Sequence, residues 1–398
     1  MNMNDTSSAK MIRTYDVAVC GGGIAGIAAS LAAAREGRRV LLLEKQYMLG
    51  GLATAGLITT YLPLCDGYGR QVSFGIAEEL LKLSITYGAE AKHPENWLDG
   101  KGTRTEKDKR YEVRYNPQIF AILAEQKLIE HGVDILYGSY VVDVELQEDR
   151  IKALYVENKS GRTAYGVRSV VDATGDCDIA HFAKAPTEVF KQGNVLAAWY
   201  CYANENGYAR QSLGVADIPE EEKNGEERPL LHERRFSGLD GEELSDMTVL
   251  SHKATLAHWL QRRESDPGVV IATLATIPQV RMTRRLVGAY TMTHTEEHTY
   301  AEDSIGLVSN WKKRGPVYEV PFRTLYCKEI KNLAVAGRCT SVNETLWDVM
   351  RSIPCCAVTG QAAGTAAAMT EDLSSLDVKA LQDVLRKSGV VLHEKELV

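Results

Sequence analysis

The chain has 398 residues, 44% of them hydrophobic and 25% charged, and a formal net charge of −7 at pH 7. This length predicts two joined domains with a sizeable core. The surplus of acidic residues argues against nucleic acid or an anionic membrane surface as a partner. No uninterrupted apolar run approaches the roughly 18 residues that cross a bilayer, so we expect a cytoplasmic protein without a membrane span.

The first elements of the chain are predicted to form one βαβ unit. Residues 1–13 are polar and are expected to be disordered, and the short Val-rich segment 15–20 predicts a buried strand. Small residues over 24–36 indicate a helix, and residues 39–43 indicate a second strand that ends at Glu44.

Three glycines follow the first strand with the spacing G-x-G-x-x-G, at Gly21, Gly23 and Gly26. In such a turn the first glycine allows the tight bend and the second lets a pyrophosphate approach the backbone. The third lets helix and strand pack closely. The helix start offers unpaired N–H groups to phosphates, and Glu44 can accept hydrogen bonds from an adenosine ribose. The unit therefore predicts a dinucleotide site, and the charge of Glu44 disfavours NADP.

A second glycine pair, Gly50-Gly51, follows the ribose-binding position. A plain NAD domain has no need of another loop that exposes its backbone. A longer cofactor, with a ribityl chain and a flavin beyond the pyrophosphate, does need one. The pair therefore favours FAD.

With these residues the sequence resembles the glutathione-reductase-like FAD superfamily. The resemblance rests on GGGIAG with Glu44, on Gly50-Gly51 with Thr54, on ATGD at 173–176, and on NLAVAGRCTSVNETLWDVMRSIPCCAVTGQAAGTAAAM at 332–369. The last block, with IPQVRMTRRLVGAYTMT and YEVPFRTL before it, is similar to the FAD-dependent oxidoreductase family. The resemblance implies an α/β fold. It comprises a Rossmann FAD domain, with a parallel sheet, βαβ unit and β-meander, and an α+β substrate-binding domain.

The resemblance also implies the cofactor and its contacts. FAD is expected to be bound non-covalently, because LGGLATAGL contains no histidine at the position that fumarate-reductase-like relatives use. The residues expected to bind it are Gly21, Gly23, Ile24, Ala25, Gly26, Glu44, Lys45, Gly50, Gly51, Leu52, Thr54, Val141, Ala173, Thr174, Gly175, Gly337, Arg338, Gln361 and Ala362.

The domain boundaries are predicted from changes in composition. Residues 14–181 and 320–398 are assigned to the FAD-binding domain, with an insertion at about 57–114. Residues 182–319 are assigned to the substrate-binding domain, since they contain an aromatic-rich segment and the helical pattern LSDMTVLSHKATLAHWLQRRES.

The candidate catalytic residues are arginines, because a guanidinium can clamp a carboxylate or stabilise an oxyanion. Arg281 and Arg284 lie in VRMTRRLVG, a segment that the family resemblance covers. Arg351 lies just before the Gly/Ala-rich helix that is expected to face the flavin, and Asp348 can orient it as an (i, i+3) partner. Surface salt-bridging is the alternative role for the arginine cluster.

No metal site is predicted. His294 and His298 have the spacing H-x-x-x-H, but no third ligand is indicated, so exposed histidines without a metal are favoured. The eight cysteines include no C-x-x-C pair and are expected to be reduced. Family members commonly carry a histidine where this chain has Asn343, so no general acid or base is assigned.

The leading hypothesis is an FAD-dependent oxidoreductase that transfers a hydride between the flavin and a small polar substrate, hydroxylated or carboxylated. The second electron donor or acceptor is not assigned. A pyridine-nucleotide-linked disulfide reductase is disfavoured, because only Cys65 follows the double glycine and its C-x4-C partner is missing. A flavin- or NAD-binding partner protein without turnover is the remaining alternative.

Overall fold

The computed structural model describes residues 9–87, 113–214 and 230–397. Its strands are β1 (Lys10–Cys20), β2 (Val40–Leu43), β3 (Thr60–Tyr61), β4 (Val113–Arg114), β5 (Asp134–Leu136), β6 (Tyr140–Gln147), β7 (Arg150–Asn158), β8 (Gly161–Asp172), β9 (Thr187–Val189), β10 (Ala198–Asn204), β11 (Gly207–Leu213), β12 (Val270–Leu274), β13 (Arg284–Leu286), β14 (Ser304–Ser309), β15 (Val317–Pro321) and β16 (Leu333–Val335). Its α-helices are α1 (Ile24–Arg35), α2 (Ile76–Ile85), α3 (Pro117–Glu130), α4 (Asp178–Phe182), α5 (Gly241–Ser265), α6 (Glu344–Met350), α7 (Ile353–Met369) and α8 (Val378–Lys387).

The central sheet has seven strands in the order β5-β2-β1-β8-β7-β6, with β16 also paired to β8. Strands β5, β2, β1, β8 and β16 are parallel, while β6, β7 and β8 form an antiparallel meander. Strand β8 is shared, because residues 161–166 pair with β7 and residues 170–172 pair with β16. The mixed α/β fold with a parallel Rossmann-like core confirms the coarse prediction from the sequence.

Helices α1 and α7 pack against each other at unusually short range. A Cβ at Gly360 would lie 2.3 Å from the carbonyl oxygen of Ala25, and one at Gly364 would lie 2.1 Å from that of Ala29. Both contacts are with backbone, so the helices would have to separate to admit a side chain. The Gly/Ala composition of α7 therefore serves this packing.

Strand β1 begins earlier than the sequence indicated. Lys10 pairs with Thr163 and Met11 with Ala164, so the predicted disordered start overlaps the strand over residues 10–13; residues 1–8 lie outside the described residues. The side chains of residues 10–13 are exposed, and they therefore give no pattern of buried positions. Pairing along the length of β8 extends the strand.

The region between residues 182 and 319 contains a separate antiparallel sheet in the order β11-β10-β12, and α5 packs on β10. The predicted helical pattern corresponds to α5, which starts slightly earlier because the Asp240 side chain accepts a hydrogen bond from the Glu243 amide. The predicted boundary at 319/320 falls inside β15. The predicted insertion at about 57–114 contains β3, α2 and β4, and residues 88–112 of it are not described.

Among the described residues, no helix is both long and apolar enough to span a bilayer.

Candidate functional site

One cavity of about 1060 Å³ extends from the glycine turn to the β10 and α5 region. This is slightly above the range of about 300–1000 Å³ that is usual for ligand sites. The predicted cofactor residues that line it are Gly21, Gly23, Ile24, Ala25, Glu44, Lys45, Gly50, Gly51, Leu52, Val141, Ala173, Thr174, Gly175, Gly337 and Arg338. The predicted catalytic residues Arg281 and Arg351 line it as well.

The three glycines of the turn meet different surroundings. A Cβ at Gly21 would lie 2.5 Å from the carbonyl oxygen of Ala173, and one at Gly26 would lie 1.8 Å from that of Gly21. A Cβ at Gly23 would meet no protein atom within 4 Å. Gly26 is therefore required by the packing of α1 on β1, whereas the open backbone at Gly23 is the place where a ligand can approach. Gly23 and the N-terminus of α1 fit the pyrophosphate of a dinucleotide.

The double-glycine loop lies directly against the glycine turn. The amide of Gly50 donates to the carbonyl of Gly22 at 2.7 Å, and a Cβ at Gly51 would lie 3.3 Å from the Cα of Gly23. Thr54 is fully buried and donates to the carbonyl of Leu49 at 2.5 Å. Thr54 is not among the cavity-lining residues, because its hydroxyl holds this loop together from behind.

Glu44 is 5% exposed at the end of β2 and faces the cavity. Its Oε2 accepts from the amide of Gly22 at 2.6 Å, and its Oε1 accepts from the amide of Gln46 at 2.7 Å. Burial raises the pKa of the Glu44 carboxyl, and the two amides oppose that rise. The remaining lone pairs are placed to accept from ribose hydroxyls.

Arg338 joins the cofactor end of the cavity to the opposite wall. Its Nη1 donates to the carbonyls of Val280, at 2.8 Å, and Arg281, at 3.1 Å. Its Nη2 lies 3.3 Å from Oδ1 of Asp176. A Cβ at Gly175 would lie 2.4 Å from the same guanidinium. The ATGD turn and the GRC turn are thus locked to the segment that carries Arg281.

Helix α7 contributes its N-terminal end to the cavity, through Ser352, Ile353 and Cys356. Gln361 and Ala362 lie further along the helix and are not among the lining residues. The Oε1 of Gln361 accepts from the amide of Ile76, and Ala362 is fully buried in the core. The resemblance implied FAD contacts for both, but here they tie α7 to α2 and to the core.

Arg281 is the buried cation of the far end of the cavity. It is 7% exposed, its Nη2 donates to Oε1 of Gln279 at 3.0 Å, and its guanidinium lies 5.2 Å from the ring centroid of Trp199. Among the described residues, no carboxylate forms an ion pair with it. Burial, followed by the charge of Arg351, lowers the pKa of Arg281 from 12.5 to about 9. The charge of the nearby Asp348 carboxylate opposes this lowering, but its two oxygens pair with Arg351 and Lys312 and not with Arg281.

Arg351 lies beside it in a triad with Asp348 and Lys312. The Nε of Arg351 donates to Oδ1 of Asp348 at 2.7 Å, and Lys312 pairs with the other carboxylate oxygen. Asp348 is 1% exposed. Burial alone would raise the pKa of its carboxyl, but the charges of Arg351 and Lys312 hold that pKa below the usual value. The predicted Asp348–Arg351 contact is present. With two cations and one anion, the triad adds a further positive charge.

Arg284 does not line the cavity, although the carboxylate that it faces, Asp178, does. It lies in β13, where successive side chains point to opposite faces, and its Nη1 is 3.9 Å from Oδ1 of Asp178 on α4. Its neighbour Arg285 pairs with Glu188 on the other face. Of the predicted arginines, Arg281 and Arg351 come together and Arg284 does not join them.

The histidines singled out in the sequence contact protein groups. His294 lies in a 3₁₀ turn with its Nδ1 2.9 Å from the side-chain Nδ2 of Asn343, and the Nδ1 of His298 lies 2.9 Å from Oε2 of Glu394. No histidine lines the cavity in the part of the chain that the structure describes.

Asp172, Cys177 and Cys339 are buried, and their side-chain ligand atoms lie within 4.8 Å of one another, a spacing at which a metal ion could be held. The Asp172 carboxylate already accepts hydrogen bonds from the backbone amides of Thr174, Ile179 and Ala180. Burial raises the pKa of the Cys177 and Cys339 thiols. The hydrogen bonds to the Asp172 carboxylate support the ATGD turn, and that support explains why the three residues lie together.

Sequence reasoning missed several residues at the far end of the cavity. Trp199, Trp311 and Lys312 line it, and Gln279 supports it from behind. Gln279 stands two residues before Arg281 in IPQVRM and could have been predicted from the sequence as its neighbour. The others belong to no local motif and come from separate parts of the chain.

Comparison with known proteins places this geometry in context. The sequence model of the FAD dependent oxidoreductase family matches residues 16–198 and 231–385. A thioredoxin reductase of Ureaplasma parvum serovar 3 is 32% identical over 77 residues, which are 19% of this chain and 25% of that protein. The chain thus spans about a quarter of the length of this curated relative.

Two solved structures match most of this chain at low sequence identity. The p-nitrophenol 4-monooxygenase of Pseudomonas putida DLL-E4 has a TM-score of 0.50 and 11% identity, covering 94% of this chain and 84% of that one. A geranylgeranyl bacteriochlorophyll reductase-like protein of Thermoplasma acidophilum has a TM-score of 0.47 and 13% identity, covering 95% and 82%. Because the family match covers most of the chain, it identifies the cofactor as FAD and the protein as an enzyme. The alternative of a partner protein without turnover is therefore not retained.

Proposed function

The chain belongs to the FAD dependent oxidoreductase family, and we propose that it acts on a small carboxylated substrate held by Arg281. FAD, when bound in the cavity, would supply the redox chemistry, an exchange of a hydride with the substrate. We also assign the chain to the glutathione-reductase-like superfamily, with non-covalent FAD and an α+β substrate domain at 182–319. The order of the glycine motifs along the chain supports that assignment.

One observation carries the choice of a carboxylate. Arg281 lines the cavity, is 7% exposed, and is hydrogen-bonded by the neutral amide of Gln279. A buried charge is costly unless it is paired, and the neighbouring Arg351 increases that cost. A substrate carboxylate would supply the missing counter-charge, and the planar guanidinium suits bidentate recognition of it.

The remaining residues of this end bind and orient the substrate. Trp199 and Trp311 present aromatic surface to the cavity, and Arg351 contributes positive potential while Asp348 fixes its position. The two oxygens of Asp348 are occupied by Arg351 and Lys312, and its lowered pKa makes it a weak base. We therefore assign Asp348 to positioning and not to proton abstraction.

The experiment is an anaerobic screen of matched pairs against the FAD-loaded protein. Each pair joins a 2-hydroxy carboxylate with the corresponding hydroxy amide, and bleaching of the flavin absorbance is followed. We expect the carboxylate members to bleach the flavin and the amides to be inactive. Equal bleaching by neutral alcohols or sugars would contradict the proposal. Bleaching by NADH or NADPH without any carboxylate would favour the pyridine-nucleotide-linked reductase instead.

A further inference from the structure

We propose that Gln279 positions Arg281 and thereby makes the cavity selective for anions, an inference that rests on the carboxylate function proposed above. Gln279 is 2% exposed and is not among the cavity-lining residues of the described chain. It therefore acts through Arg281 without touching the substrate.

Two hydrogen bonds fix the orientation of the Gln279 amide. Its Nε2 donates to the carbonyl of Gly56 at 2.5 Å, and its Oε1 accepts from Nη2 of Arg281 at 3.0 Å. A carbonyl only accepts and a guanidinium only donates, so the two ends of the amide cannot be exchanged. The amide of Gly56 in turn donates to the carbonyl of Gly51 at 3.2 Å. Gln279 thus joins the cofactor loop to the substrate-binding arginine.

The neutrality of Gln279 leaves the charge of Arg281 available. A glutamate at 279 would place a carboxylate against the same guanidinium and form a buried ion pair. That pair would satisfy Arg281 before any substrate arrived, and its second oxygen would face the carbonyl of Gly56. The amide instead orients the guanidinium without neutralising it, so the free site keeps its attraction for an anion.

The backbone of Arg281 is fixed by a second amide. The Oδ1 of Asn194 accepts from the amides of Arg281, at 2.8 Å, and Met282, at 3.0 Å. Its Nδ2 donates to the carbonyls of Met282 and Phe236. Asn194 therefore holds the main chain while Gln279 holds the side chain, and the arginine is preorganised for a ligand.

The test measures binding of named probes to the FAD-loaded protein. Acetate, malonate and benzoate are compared with acetamide, malonamide and benzamide, using the shift of the flavin absorbance and titration calorimetry. For Gln279→Glu we expect the Kd of the carboxylates to rise about 100-fold, since a charge-assisted contact is worth about 1.5–3 kcal/mol. The Kd of the amides should stay unchanged. For Gln279→Met, which keeps the length and loses both hydrogen bonds, we expect a rise of about 10-fold.

The outcomes separate this inference from the proposed function. Unchanged carboxylate affinity in Gln279→Glu, or equal losses for carboxylates and amides, would overturn the role of Gln279. If Gln279→Glu loses FAD or fails to fold, Gln279→Met decides, and unchanged carboxylate affinity there overturns the role. A wild-type protein that binds no carboxylate, or an Arg281→Met variant that binds them normally, would refute the proposed function itself.

Discussion

The two ends of the cavity are built in different ways. At the cofactor end, the backbone forms the binding surface, because Gly23 leaves its main chain open and the loops of Gly22 and Gly50 are hydrogen-bonded to each other. At the substrate end, side chains form the binding surface, because the positive charges of Arg281, Arg351 and Lys312 come from three separate segments of the chain. The glycine loops of the cofactor end are therefore intolerant of added atoms, whereas the substrate end depends on the identity of its charged side chains.

The largest expected effect is at the packed glycine of the turn. Gly26→Ala would place a Cβ 1.8 Å from the carbonyl oxygen of Gly21, so we expect little folded protein. Gly23→Val meets no protein atom at its Cβ and should fold but lose FAD. Gly241→Ala, at an open helical position, serves as the control. Yield, circular dichroism and the flavin-to-protein absorbance ratio distinguish the three. A Gly26→Ala protein that folds and binds FAD would refute the packing role.

The next effect is on stability, at the substrate end. Asp348→Asn leaves Arg351 and Lys312 buried without their counter-charge, and removal of one partner from a buried pair typically costs about 3–5 kcal/mol. Asp246→Asn breaks a surface pair with Arg234 whose aspartate side chain is 59% exposed, so its cost should stay below about 1 kcal/mol. Denaturant titration of the FAD-loaded proteins measures both. Equal losses in the two variants would show that the triad is not a buried network.

A moderate effect is expected at the two arginines that the sequence placed together. Arg281→Met should raise the Kd of small carboxylates about 10- to 100-fold, because a charge-assisted contact is lost. Arg284→Met removes an equally buried arginine that faces Asp178 and should leave that Kd unchanged. The matched comparison is made by flavin absorbance titration. If Arg284→Met weakens carboxylate binding as strongly, the cavity assignment of the arginines fails.

The smallest effect concerns pH. Burial, with the charges of Asp176 and Asp172, raises the pKa of Asp178 from 3.8 to about 6. The folded protein then binds a proton more tightly than the unfolded chain, so this contribution to stability is present below pH 3.8 and is lost as pH rises through about 6. The melting temperature of Asp178→Asn should therefore fall less between pH 5 and pH 7 than that of wild type. Parallel curves for the two proteins would exclude this linkage.

The same contrast explains how far the sequence could predict the molecule. The glycine turn, Glu44 and the double glycine could be proposed as cofactor contacts from the sequence, because they are close neighbours in one βαβ unit and the loop that follows it. The small residues near Gln361 were read as flavin contacts, but at Gly360 and Gly364 they are needed for packing on α1. A Gly/Ala helix looks the same from its sequence in either role.

The substrate end was predictable only where chemistry singled out a residue type. Arg281 and Arg351 were proposed because arginines bind anions, and they do share the cavity. Arg284 was grouped with them by its nearness in sequence, yet its place in β13 turns it toward Asp178. Lys312 and Trp199 could not be found, since only the tertiary fold brings these distant segments together.

The late position of β16 and α7 in the chain has a consequence for biosynthesis. The close contact of Gly360 with Ala25 joins residues separated by most of the chain, and the parallel pair β8–β16 joins residues separated by more than a third of it. During translation, the glycine turn and α1 leave the ribosome long before their covering helix is made. At about 5–20 residues per second this interval is on the order of tens of seconds. Throughout it, the apolar face of the nascent βαβ unit is open to chaperones, and the flavin site is completed only after β16 and α7 have been made.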